Sequence, residues 1–131
     1  MEKEFVPYVL AVKLKSLGFD EECFGFYNPT VTEKVIMNND SYGGYGLSYE
    51  HIVVAPTYSQ AFRWFREKGY DNSFKKMDYG IESNFTGYYY TIYNGNEVIH
   101  IHGADGRSKT YEGAELACLA KLLEIVESKS E

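Results

Sequence analysis

The sequence predicts an α+β domain, with about three helices packed mainly on one face of an antiparallel sheet. Three observations carry this expectation. The phrase Ala55-Pro56-Thr57-Tyr58-Ser59-Gln60-Ala61 is echoed by Ser108-Lys109-Thr110-Tyr111-Glu112-Gly113-Ala114, and each closes a strand-like stretch and opens an amphipathic one, with Thr at the N-cap position. Asn94-Gly95 stands between two runs rich in Tyr, Ile and Val, as in a hairpin closed by a two-residue type I′ turn. Near the start, Val6, Leu10, Leu14 and Leu17 recur at the spacing of one helical face.

Taken in order, residues 7–17 form the first helix, with Gly18 as its stop and Lys13 and Lys15 late in it, where cations suit the helix dipole. Asp20-Glu21-Glu22 reads as a solvated turn. Residues 23–27 and 32–37 read as strands joined through Asn28-Pro29, a turn-forming pair. Residues 38–50 collect Asn, Asp, Ser, Gly and three tyrosines, too little aliphatic content for a core, and read as a mobile loop. Gly43-Gly44-Tyr45-Gly46 lacks the spacing of a dinucleotide or P-loop fingerprint.

Residues 51–55 form a short apolar strand leading to the second helix, where Thr57 and Gln60 make a capping box. Tyr58, Ala61, Phe62 and Phe65 share its inner face, and Trp64 sits on the flank. Residues 69–84 are polar apart from a lone Phe74 and read as a second mobile connection. The strands 86–93 and 96–102, with a third at 107–109 after the Asp105-Gly106 turn, complete a three-stranded meander. Pairing Tyr93 with Asn96 places Tyr88, Tyr90, Ile92, Ile99 and Ile101 on the core side, and Tyr89, Thr91, Tyr93, His100, His102 and Lys109 on the other. The last helix, from 111 to about 126, has an apolar arc built on Ala114, Cys118, Leu122 and Ile125. The arc is wide enough for more than one partner, including a second copy of the chain.

At 131 residues the chain is expected to be a single domain spanning 1–131. Cys23 and Cys118 have neither CxxC nor zinc-ligand spacing, and the first residues carry no signal-like apolar run, so a cytoplasmic protein with reduced cysteines is expected. No apolar run is long enough to cross a bilayer. The formal charge of −6 argues against non-specific binding of nucleic acid. Aromatic residues make up 17% of the chain, with 13 tyrosines, too many for every hydroxyl to be satisfied in a core. Some must face water or a partner, a role suited to an apolar ring with a polar tip.

These features yield three candidate constellations. Tyr42, Tyr45 and Tyr49 of the 38–50 loop, with Trp64, form a partner-binding set for a host protein; for Trp64 a half-buried edge-of-core position is the first reading and an interface anchor the alternative. Tyr89, Tyr93, His100, His102 and Lys109 form a ligand-binding set on the outer sheet face, with stacking rings and cations suited to a small ligand such as a nucleotide signal. His100 and His102, two apart on a strand, are the only feature that speaks for a metal-dependent enzyme, and a third ligand of diagnostic spacing is lacking. No catalytic residue, resident metal or cofactor is assigned. Cys118 reads as core and Glu115 as a first-turn acid.

The segments Ala55-Pro56-Thr57-Tyr58-Ser59-Gln60-Ala61-Phe62-Arg63-Trp64-Phe65-Arg66-Glu67-Lys68 and Thr110-Tyr111-Glu112-Gly113-Ala114-Glu115-Leu116-Ala117-Cys118-Leu119, with Glu4-Phe5-Val6-Pro7-Tyr8 and Leu17-Gly18-Phe19-Asp20, resemble a family of small proteins carried by phages and prophages of gut anaerobes. The family has no assigned activity and no site residues to carry over. What the resemblance implies is context: an accessory protein of a mobile element, acting against its host. Together these readings favour a non-enzymatic protein that binds a host protein or a small ligand to block a defence response, with a homodimer through the last helix as a further expectation.

Overall fold

The computed structural model describes residues 4–29, 32–37, 52–78, 86–101 and 110–129. In chain order they form α1 (Tyr8–Ser16), β1 (Gly25–Asn28), β2 (Thr32–Met37), β3 (Val53–Ala55), α2 (Tyr58–Glu67), β4 (Tyr70–Asp78), β5 (Thr86–Asn94), β6 (Glu97–Ile101) and α3 (Tyr111–Lys129). The α+β class is as predicted. The single sheet is not: the strands divide into two antiparallel sheets, ordered β2-β1-β3 and β4-β5-β6. The reason is that β1 and β5 each have both sides filled by strands of their own half of the chain. Two compact units result, Met1–Ala61 and Phe62–Glu131, the boundary falling inside α2. Among the described residues no helix is long and apolar enough to cross a membrane. The expected 38–50 loop and the expected third meander strand at 107–109 lie outside the described residues.

In the first unit, β1 pairs with β2 from Gly25↔Met37 to Asn28↔Thr32, with a register shift between Phe26 and Asn28, and with β3 from Gly25↔Ala55 to Tyr27↔Val53. Helix α1 packs on β3, burying Ala11 and Leu14. Its end follows from Gly18. With φ at +103°, Gly18 lets its own N–H reach the Lys15 carbonyl (3.1 Å) and the Phe19 N–H reach the Leu14 carbonyl (3.0 Å), the two bonds of a Schellman motif. Phe19 is thereby buried. The chain before α1 is anchored by the Val6 N–H donating to the Pro56 carbonyl (2.8 Å) and by the Tyr27 hydroxyl donating to the Val6 carbonyl (2.7 Å).

Both echoed phrases cap helices. At the start of α2 the Gln60 N–H donates to Thr57 Oγ1 (3.2 Å) and the Thr57 N–H donates to Gln60 Oε1 (3.1 Å), a reciprocal capping box. At the start of α3 the Gly113 N–H donates to Thr110 Oγ1 (3.0 Å). Ala61 and Ala114, at matching positions, are fully buried.

The second unit corrects the sequence reading most. Residues 69–84 do not form a loop throughout: Tyr70–Asp78 is the nine-residue strand β4, paired with β5 from Tyr70↔Asn94 to Asp78↔Thr86. Its polar composition hides a period of two, because Tyr70 and Phe74 face the helix side while Asp71, Ser73 and Lys75 are exposed on the other. Helix α3 lies along that inner face. Tyr111, at its start, contacts Phe74 (ring centroids 5.1 Å) and Tyr88 (5.8 Å), and Lys129, at its end, sits over the Tyr70 ring (5.4 Å). Leu119, Leu122, Leu123 and Cys118 are buried beneath it with Tyr90 and Ile92, each large aliphatic contributing about 1.5–3 kcal/mol. Phe62 of α2 meets Phe74 on the same side (5.6 Å).

The capping geometry predicts a graded response. Thr57→Ala should cost about 1–2 kcal/mol, because the half-buried box loses a reciprocal pair, whereas Thr110→Ala, at an exposed cap, should cost less. Urea unfolding of the two variants, compared at equal slope, measures the difference.

Candidate functional site

The β5–β6 hairpin decides which side chains share a surface. The turn expected at Asn94-Gly95 forms one residue later: Asn94 pairs with Glu97, and the loop is Gly95-Asn96, with Gly95 at φ +64°. Asn94 is held in the ladder because it also pairs with Tyr70 of β4. The register then shifts again, from Tyr93↔Val98 to Ile92↔His100, leaving Ile99 as an extra residue. This is a β-bulge, and it exchanges the faces of the residues beyond it.

The consequence is a correction to the predicted ligand-binding set. Tyr89 and Tyr93 lie half-buried on the outer face as expected. His100 does not join them: it pairs with Ile92 on the helix side, its ring 5.6 Å from that of Tyr90 and its Nε2 3.5 Å from the Tyr90 hydroxyl. Ile101, expected in the core, pairs instead with Thr91 on the outer side and is 59% exposed. His102 and Lys109 lie outside the described residues.

Of the predicted partner-binding set, Tyr42, Tyr45 and Tyr49 also lie outside the described residues. Trp64 is not an exposed anchor. It is 7% accessible, meets Phe65 edge-to-face (5.1 Å) and carries the Lys68 ammonium 4.4 Å above its ring, a cation–π contact of about 0.5–1 kcal/mol at such a site.

The surface assembled on the outer side of the second sheet therefore differs from the one expected. Across the strands run Asp71–Tyr93–Val98 and Ser73–Thr91–Ile101, with Lys75 beside Tyr89. Polar and charged groups line the β4 side, two tyrosines occupy the middle strand, and the exposed aliphatics Val98 (46%) and Ile101 (59%) line the β6 side. Ser73 Oγ and the Tyr93 hydroxyl lie 3.4 Å apart, which ties one ring tip to the sheet. Ile101 was missed as a site residue because a bulge has no signature in a Glu-Val-Ile-His-Ile run, whereas Val98, which precedes the bulge, lies on the outer side in the predicted register as well.

Among the described residues no group of three or more His, Cys, Asp or Glu could hold a metal ion. Burial pushes the Cys118 thiol up to about 12 and, with the Glu21 carboxylate, the Cys23 thiol up to about 11, so both are held protonated rather than as nucleophilic thiolates. Glu115, half-buried and three residues from Glu112, has its carboxyl raised by burial and by that like charge. The chain matches no protein-family model, no curated protein and no solved structure.

A pH dependence follows from the buried acids. Burial raises Cys118 from 9.0, and Tyr90 from 10.0, to about 12. The unfolded chain therefore releases these protons first, and stability should be full below about pH 9 and fall as pH rises from about 9 to 12. Urea midpoints across that range should show the decline, and Tyr90→Phe should flatten its slope whatever its effect on the midpoint at neutral pH.

Proposed function

We propose that this chain is a non-enzymatic binding protein that takes a host protein on the outer face of the β4–β5–β6 sheet, in the cytoplasm of a cell hosting the mobile element that the sequence resemblance implies. The observation that carries this reading is the row of Tyr89, Tyr93, Val98 and Ile101, aromatic rings beside strongly exposed aliphatics on one side of one sheet. Tyrosines and aliphatics with sparse charge are the composition of protein-recognition surfaces. In a phage-type accessory protein such a surface would serve to occupy a host factor and block a defence response.

The nucleotide-sequestering reading has less support. His100 turns to Tyr90, and on the outer face Lys75 is the one cation among the described residues, too little positive charge for a polyanion. The metal-enzyme reading rests on His100 and His102 alone and has no further ligand among the described residues to support it.

The test compares capture from host lysate by the native chain, by Tyr93→Ala/Ile101→Glu, and by Leu116→Ala, a control at an exposed position on α3. A protein retained by the native chain and the control, but lost by tenfold or more (about 1.4 kcal/mol) from the sheet-face variant, supports the reading. Equal capture by all three overturns it.

A further inference from the structure

We infer a second binding site, in the first unit and independent of the sheet face, that takes a small, flat, uncharged ring compound such as a neutral heteroaromatic. At the start of α1 a cavity of about 410 Å³ is lined by Tyr8, Val9, Tyr27, Pro29 and Thr32. That volume falls in the range of small-molecule pockets.

Its aromatic corner is preset. The Tyr8 and Tyr27 rings meet edge-to-face at 5.6 Å and 73°. Tyr27 is buried and its hydroxyl is engaged by the Val6 carbonyl at 2.7 Å, so the ring cannot swing away without breaking a buried hydrogen bond. With that hydroxyl engaged, what Tyr27 offers the cavity is ring surface. A wall ordered in advance lowers the entropic cost of binding.

Val9 is 66% exposed although its helix already buries Ala11 and Leu14 toward the sheet, and Pro29 is exposed as well. A ligand seated against Val9, Pro29 and the two rings would cover apolar surface that the fold leaves in water. Polar character among the lining residues comes from hydroxyls. Thr32 Oγ1 accepts the Lys34 N–H (3.2 Å) and keeps its own proton to donate. No charged side chain belongs to the described lining, so a phosphate or carboxylate would find no counter-charge there, whereas a neutral ring with a hydrogen-bonding edge is matched.

Amide NMR titration of the full chain with nicotinamide, caffeine and indole tests this, with nicotinate as the charged counterpart of nicotinamide. The expected result is saturable shifts at Tyr8, Val9, Tyr27 and Thr32 with at least one neutral probe, and for nicotinate an affinity at least tenfold below that of nicotinamide. Val9→Asp should abolish binding while keeping the fold, because a carboxylate is favourable in the first turn of a helix but not in an apolar pocket. No saturable shift with any neutral probe, shifts centred on Tyr89 and Tyr93 instead, nicotinate binding as tight as nicotinamide, or unchanged binding in folded Val9→Asp would each overturn the inference. None of these outcomes depends on whether the sheet face takes a protein.

Discussion

The second unit depends on one ladder, the pairing of β4 with β5 over nine residues from Tyr70↔Asn94 to Asp78↔Thr86. Because side chains alternate along paired strands, that single register commits Tyr88, Tyr90 and Ile92 to the helix side and Tyr89, Thr91 and Tyr93 to the other. It also holds Asn94 inside the strand, which moves the hairpin loop to Gly95-Asn96. The bulge at Ile99 then acts on a frame already set. One unpaired residue sends His100 to Tyr90 and brings Ile101 beside Thr91, and in doing so converts a mixed aromatic and imidazole face into an aromatic and aliphatic one.

Capping gives the helices their limits. The reciprocal bonds of Thr57 and Gln60 satisfy two backbone donors where α2 begins, and the Gly18 motif satisfies carbonyls where α1 ends. Gln60 does more than cap: its amide nitrogen donates to the Glu22 carbonyl (2.9 Å), tying the segment before β1 to the helix start. In the first unit these local bonds supplement a small apolar core in which Val6 and Leu14 are fully buried.

Among the described residues the cysteines and His100 are engaged within the fold. Both cysteines are buried and held protonated, and the imidazole of His100 is turned to a tyrosine hydroxyl on the helix side. The tyrosines divide accordingly. Tyr27 and Tyr90 are core residues with polar contacts for their hydroxyls, whereas Tyr8, Tyr89 and Tyr93 stand half-buried at the margins of two separate apolar surfaces. A ring that is half in the fold and half in solvent loses little entropy when something covers it.

What could be read from the residues alone was whatever nearest neighbours in the chain decide. The echoed Thr-Tyr phrases marked two helix starts, Gly18 marked a helix end, and the 23–27 and 32–37 runs marked a hairpin, because capping and turn preferences act over four or five residues. Tyr90 and Ile92 are buried as expected and Tyr88 faces the same side half-buried, because strict alternation along one strand fixes which residues share a side. Residues 70–78 were not legible as a strand, since a polar segment with one phenylalanine becomes a strand only when β5 pairs with it and α3 and Phe62 cover its Tyr70 and Phe74 side. Trp64, read first as an edge-of-core residue, is buried, whereas the sequence could not show that Ile101 faces out. The chain by itself determined the class, the helix limits and the alternation within β5, all local properties. The division into two sheets, the bulge and the resulting surface belong to tertiary structure, because pairing register is settled between segments distant in sequence and each one-residue slip reverses every side chain beyond it.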